Sequence, residues 1–157
     1  SAWEFRHTDY EGEGGRTENG PGGGGRSGRA GVWMETGRSL QVLAEPIAGS
    51  TPVCRFFSTA FGPKSSHFFS ASAKECTTVC ANPDWYYEGD PFSMFAVDAD
   101  GNCPPGATPI FRLYNAGAGG APNHRYTDNL EIRRQMMGAG WISEGNGEQG
   151  VAMCAPT

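Results

Sequence analysis

The chain has 157 residues, and 24 Gly with 11 Pro bring it close to the level at which low-complexity sequence becomes a serious alternative to a fold. A formal charge of −5 without a Lys/Arg cluster argues against nucleic acid and against an anionic membrane surface, both of which need a basic footprint. No apolar run is long enough to span or insert into a membrane, and a domain of this size buries roughly 70% of its unfolded surface, enough for one core.

The glycines are unevenly placed. Residues 1–44 hold 11 of the 24, including Gly22-Gly23-Gly24-Gly25, whereas the later stretch carries most of the Phe and Tyr. Within the N-terminal part stand Glu4-Phe5-Arg6-His7, Arg16-Thr17 and Trp33-Met34-Glu35-Thr36-Gly37. These fragments gain meaning from the more regular sequence downstream. Pro52-Val53-Cys54-Arg55-Phe56-Phe57-Ser58 alternates in character and suits a short strand, and His67-Phe68-Phe69-Ser70 after a Gly/Pro/Ser loop suits its hairpin partner. Ser72-x-x-Glu75 has capping-box spacing and opens a helix that Pro83 stops, and Trp85-Tyr86-Tyr87-Glu88-Gly89 begins a final strand with a bend at Gly89.

The same order then recurs. Pro109-Ile110-Phe111-Arg112-Leu113-Tyr114-Asn115 is followed by His124-Arg125-Tyr126-Thr127, by a second capping-box spacing at Asp128-x-x-Glu131, by helix stops at Gly138 and Gly140, and by Trp141-Ile142-Ser143-Glu144-Gly145. The N-terminal fragments read as a third, eroded copy whose middle has become glycine-rich. One such unit cannot bury its aromatic face alone. The expectation is therefore a mainly β fold with short helices (α+β): a single domain of three pseudo-repeats, about 1–48, 49–105 and 106–157, packed around a pseudo-threefold axis in a trefoil-like body.

These motifs resemble a bacterial repeat family of unknown function. The resemblance rests on residues 53–61, Lys64-Ser65-Ser66-His67-Phe68-Phe69, Gly101-Asn102-Cys103-Pro104, residues 119–127 and residues 150–156, and covers about 32–157. It implies units with a His-aromatic-aromatic-Thr and a Trp-x-x-Glu-Gly motif, near the C-termini of exported proteins and often beside a hydrolase or adhesion domain. Where the first unit of that family usually keeps Asp-His-aromatic-aromatic, this chain has Glu11-Gly12-Glu13-Gly14-Gly15. What the resemblance implies is an extracellular or periplasmic compartment, with no established activity.

Cysteines stand at 54, 76, 80, 103 and 154, and the odd count leaves at least one thiol free or paired between chains. Four paired cysteines allow three connectivities that sequence does not separate. Position points to Cys103 with Cys154, fastening the last unit at both ends, and to Cys54 with Cys76, bracing a strand against its own helix, with Cys80 left over. The competing metal reading of Cys76-x-x-x-Cys80 with His67 or His124 lacks a second pair at zinc-ligand spacing. Asp98-x-Asp100-Gly101-Asn102 has its Gly too early for a calcium loop and reads as a polar turn, and the glycine run 20–31 with Arg16, Arg26 and Arg29 nearby lacks the Lys-Ser/Thr end of a phosphate loop. No metal and no cofactor is expected.

The candidate ligand-facing set is Arg55, His67, Tyr86, Tyr87, Glu88, Arg112, Tyr114, His124, Tyr126 and Glu144. For the Arg and His members the competing reading is structural: each pairs with the Glu of its own unit, since a residue repeated in a repeat usually serves the fold. Trp33, Trp85 and Trp141 read as core anchors rather than exposed stacking platforms, whereas Tyr86, Tyr87, Tyr114 and Tyr126 suit a surface with one apolar and one wet end. Neither a Gly-x-Ser-x-Gly elbow nor a His-Glu-x-x-His occurs, and Glu88 and Glu144 occupy equivalent places in different units, so independent catalysis is not expected. The resulting expectation is a non-catalytic accessory module that holds parent polypeptide domains on a polysaccharide or cell-surface glycan. A structural capping or association domain is the alternative, and an independent hydrolase the third.

Overall fold

The computed structural model describes residues 2–4, 30–35 and 38–157, with side chains from residue 41 onward. Expectations placed on Phe5-Arg6-His7, on Glu11–Gly15, on Arg16, Arg26 and Arg29, on the glycine run 20–29 and on the Trp33 side chain lie outside the described residues. The described fold is mainly β, with short helices. Its strands are β1 (Ala2–Glu4), β2 (Ala30–Glu35), β3 (Arg38–Leu43), β4 (Ser50–Ser58), β5 (Ser66–Ser70), β6 (Tyr86–Tyr87), β7 (Phe92–Phe95), β8 (Thr108–Tyr114), β9 (His124–Thr127), β10 (Ile142–Glu144) and β11 (Val151–Ala155). Helix α1 (Ala73–Cys80) lies between β5 and β6, and α2 (Leu130–Gly138) between β9 and β10. Pairing is antiparallel throughout, in an open sheet ordered β1-β9-β8-β11-β7-β3-β2 with β4, β5, β6 and β10 branching from that path.

Two long strands organise the sheet. β4 takes β5 on one edge, with Arg55 opposite Phe69 and Phe57 opposite His67, and on its other edge β6 and then β7. β8 takes β9 on one edge, with Arg112 opposite Tyr126 and Tyr114 opposite His124, and on its other edge β10 and then β11. The Pro-x-x-Arg segments thus form strands with the His segments as hairpin partners, as their alternation requires. The central core draws on most of these strands through Val42, Val53, Phe69, Phe92, Met94, Ile110, Tyr126 and Met153.

The helix ends follow local chemistry. The Ser72 hydroxyl accepts from the Glu75 backbone N–H at 3.3 Å, giving half of the expected capping box, but the Glu75 carboxylate turns to Ser70 and Arg112 instead of reaching back. At α2 the cap is Asn129, one residue after the expected Asp128: its Oδ1 accepts from the N–H groups of both Glu131 and Ile132. An amide oxygen satisfying two otherwise unpaired donors fixes the helix start there. Gly89 and Gly145 bend the chain with φ of 96° and 135°, and a Cβ on Gly145 would meet the Gly150 carbonyl carbon at 2.6 Å, so only glycine serves at that position.

Candidate functional site

Antiparallel register decides which side chains meet. Residues two apart on a strand share a face, as do residues directly opposite each other, so Arg55, Phe57, His67 and Phe69 lie on one face of the first hairpin. The backbone N–H of Glu88 donates to the Arg55 carbonyl, which brings its carboxylate to that face. The Glu88 carboxylate stands 3.3 Å from Arg55 Nε and 3.4 Å from His67 Nε2. In the second hairpin Glu144 lies opposite Arg112 and contacts both Arg112 Nε and His124 Nε2 at 3.1 Å. Each Arg–His pair therefore meets the Glu expected for it.

The second cluster extends further. Arg112 is 4% exposed, and its two terminal nitrogens donate to the two Glu75 oxygens at 2.9 and 2.7 Å, a bidentate tie from β8 to helix α1. Its guanidinium carbon lies 4.9 Å from the centroid of the Phe68 ring. Burial acts to raise the Glu75 carboxyl, but the Arg112 hydrogen bonds and charge, with Ser70, outweigh it and hold it below the usual carboxylate value. Glu144 follows the same balance, with burial opposed by His124 and Arg112. Burial acts to lower the Arg112 guanidinium, and the Glu75 hydrogen bonds and charge more than offset it. His124 stacks on Tyr114 at 5.0 Å and meets the edge of Phe68 at 5.0 Å, while its buried Nδ1 has no hydrogen-bond partner among the described residues.

The tyrosine expectations divide. Tyr126 is not a surface ring: it is 1% exposed, packed edge-on to Phe69, with its hydroxyl donating to the Phe69 carbonyl at 2.8 Å and accepting from the Phe69 N–H at 3.1 Å. Its place opposite Arg112 on a core-facing strand turns it inward, and burial pushes its phenol up. Tyr86 and Tyr87 are exposed at 62% and 52%, and the Tyr87 hydroxyl donates to Asp90. Trp85 and Trp141 are half-buried: Trp85 packs against the cluster of Cys54, Phe56 and Phe68, and Arg125 lies over the Trp141 ring. Disulfides join Cys54 to Cys76 and Cys103 to Cys154, leaving Cys80 exposed as a free thiol. With Cys76 committed to a disulfide, Cys76-x-x-x-Cys80 does not supply two thiolates. The Asp98 carboxylate accepts from the backbone of Asp100 and Asn102 and from the Asn102 amide, forming a polar turn.

Between the two hairpin segments lies an open cleft of about 650 Å³. Phe61, Phe68 and Trp85 line it from the first segment, Tyr114, Pro122 and His124 from the second, and the exposed Asn82 and Asp84 border it. Phe61 and Trp85 are 6.2 Å apart, and Trp85 meets Phe68 edge-on at 6.3 Å. The size and mixture suit a small ligand or one segment of a polymer: an apolar, aromatic lining with a few polar groups.

A family model described as domain of unknown function (DUF5648) matches residues 30–151. The chain belongs to this family. No curated protein and no solved structure matches the chain. The DUF5648 match spans the hairpins, both helices and every residue of the cleft, and leaves residues 1–29 and 152–157 outside it.

Of the sequence candidates, the structure brings Tyr114 and His124 to the cleft of this DUF5648 domain and places Arg55, His67, Glu88, Arg112 and Glu144 in the two ion-pair clusters. Glu75, Phe61, Asn82 and Asp84 are additions. Glu75 carries a second signal besides its cap spacing, since Arg112 has more donors than Glu144 alone satisfies. Asn82-Pro83-Asp84, directly before Trp85, is a turn that presents polar groups beside an aromatic ring.

Proposed function

We propose that the chain is a non-catalytic, extracytoplasmic accessory module that holds a parent protein on a glycan of a polymer or cell surface, through the cleft between the two hairpins. The observation that carries this reading is the division of labour among the aromatic and charged residues. The repeated Arg, His and Glu side chains are engaged with one another inside the fold, whereas Trp85, Phe61 and Tyr114 present partly exposed rings around a polymer-sized groove. Sugar rings stack on such rings through their apolar faces, and Asn82, Asp84 and the Tyr114 hydroxyl are placed to read hydroxyls. The two disulfides support an oxidising compartment. Carboxylates held ionised by Arg and His in their own clusters support a role without proton transfer. The matching registers of the two hairpins support repeat units, and a third unit built on β1 to β3 would complete the trefoil-like arrangement.

A glycan array with pull-down on insoluble polysaccharides tests the reading. Binding that is lost in Trp85→Ala and Tyr114→Ala, with folding intact, is the expected result; uniformly negative binding by folded protein overturns it. The structural alternative, a capping or association domain, is favoured by the inward Arg112–Glu75 tie. It predicts that removing the module changes secretion, stability or oligomeric state of the parent, which a pure binding module leaves nearly unchanged.

A further inference from the structure

Resting on the reading of the cleft as a glycan site, we infer that the cleft selects a glycan whose rings carry free, protonated amino groups, a glucosamine-type polymer, over its N-acetylated and uronate counterparts. The lining of the cleft is one-sided in charge. Among the described lining residues Asp84 is the one carboxylate, and no Lys or Arg lines the cleft. Two cations stand close to it: the Arg112 guanidinium lies over the Phe68 ring with its charge offset by Glu75 and Glu144, and Lys64 keeps its charge but its Nζ is held on the Gly119 carbonyl. The wall residue able to carry a positive charge, His124, is buried against the Glu144 carboxylate.

Asp84 is itself well placed. Its backbone N–H donates to Asn82 Oδ1 at 3.0 Å, which fixes the turn, while its carboxylate is exposed and has no hydrogen-bond or ion-pair partner among the described residues. It directly precedes Trp85, so one ligand ring seated on the indole has an acceptor within reach of its substituents. The faces of Trp85, Tyr114 and Phe61 attract a cation through their quadrupoles, which adds to the carboxylate. At longer range the formal charge of −5 draws a polycation and repels a polyuronate. N-acetylation leaves the stacking surface but removes the charge both features attract.

Calorimetric titration of the intact chain with glucosamine, N-acetylglucosamine and galacturonate oligomers of equal length, at a pH where the amine is protonated, reads this out. The glucosamine oligomer should bind about three- to tenfold more tightly than the N-acetylated one, the scale of an exposed ion pair with a cation–π contribution, and the advantage should shrink in high salt. Asp84→Asn should weaken binding of the glucosamine oligomer more than binding of the N-acetylated one and so remove most of the preference, and Trp85→Ala should weaken both. Equal affinity for the two oligomers in the native chain, or a preference that survives Asp84→Asn, overturns the inference while leaving the cleft reading standing. Absence of binding by every oligomer and every polysaccharide, with folding verified, brings down both.

Discussion

Replacing Arg112 by Met keeps an unbranched apolar stem and removes the guanidinium, together with its contact over the Phe68 ring. Three charge-assisted hydrogen bonds are lost, two to Glu75 at 2.9 and 2.7 Å and one to Glu144 at 3.1 Å. Breaking a fully buried ion pair costs about 3–5 kcal/mol, because the surviving charge is stranded. Here the carboxylates are 39% and 31% exposed, so water recovers part of that. The expected loss is about 2–3 kcal/mol, of which the bidentate partner accounts for the larger share. A double-mutant cycle of Arg112→Met with Glu75→Gln, measured by urea unfolding with the disulfides intact, isolates the pair from the lost ring contact. The coupling should be about 1–2 kcal/mol, and the corresponding cycle with Glu144→Gln about half as large, since it removes one hydrogen bond instead of two. Coupling energies below about 0.5 kcal/mol in both cycles would show that these groups are merely adjacent.

The same geometry sets three further outcomes. Because Glu75 and Glu144 titrate below the ordinary value of 4.5 in the fold, the unfolded chain takes up protons first as pH falls. Their stabilisation is therefore complete above about pH 5 and is lost progressively as pH drops through the folded values; urea midpoints measured against pH should show this slope, flattened in Glu75→Gln. Tyr126→Phe leaves the buried N–H and C=O of Phe69 without their hydroxyl partner and should cost about 2–4 kcal/mol; a loss below about 0.5 kcal/mol in urea unfolding contradicts the assigned hydrogen bonds. Replacing Cys54 and Cys76 by Ala, a separation of 22 residues, should cost about 3 kcal/mol, and replacing Cys103 and Cys154, a separation of 51, about 4 kcal/mol; non-reducing peptide mapping should find both bridges intact in Cys80→Ser.

What could be read from the sequence was local. Alternation in 52–58 and 109–115 gives strands, and a His segment twelve residues after each Arg gives the hairpin partner; the register then makes the Arg–Glu and His–Glu meetings nearly unavoidable. The Gly89 and Gly145 bends follow from position in the same way, whereas position only favours the two cysteine pairings found, one of three connectivities that the sequence leaves open. Contacts between segments were hidden, because they depend on how one hairpin packs against the other. Tyr126 illustrates this: its residue type suits a wet surface, but its strand face looks onto Phe69. Glu75 reads locally as a cap residue, yet the approach of β8 captures it as the main partner of Arg112. The cleft is also a product of packing, assembled from loops and ring edges that carry no shared periodicity.

The most direct test of the central claim is a comparison of glycan binding by three folded proteins: the native chain, Trp85→Ala in the cleft, and Tyr86→Ala/Tyr87→Ala on the exposed strand outside its lining. Loss of a central aromatic contact should weaken binding at least about tenfold, or about 1.4 kcal/mol, in Trp85→Ala and change it little in the tyrosine variant. The reverse pattern, with binding kept in Trp85→Ala and lost with the two tyrosines, would contradict the assignment of the cleft.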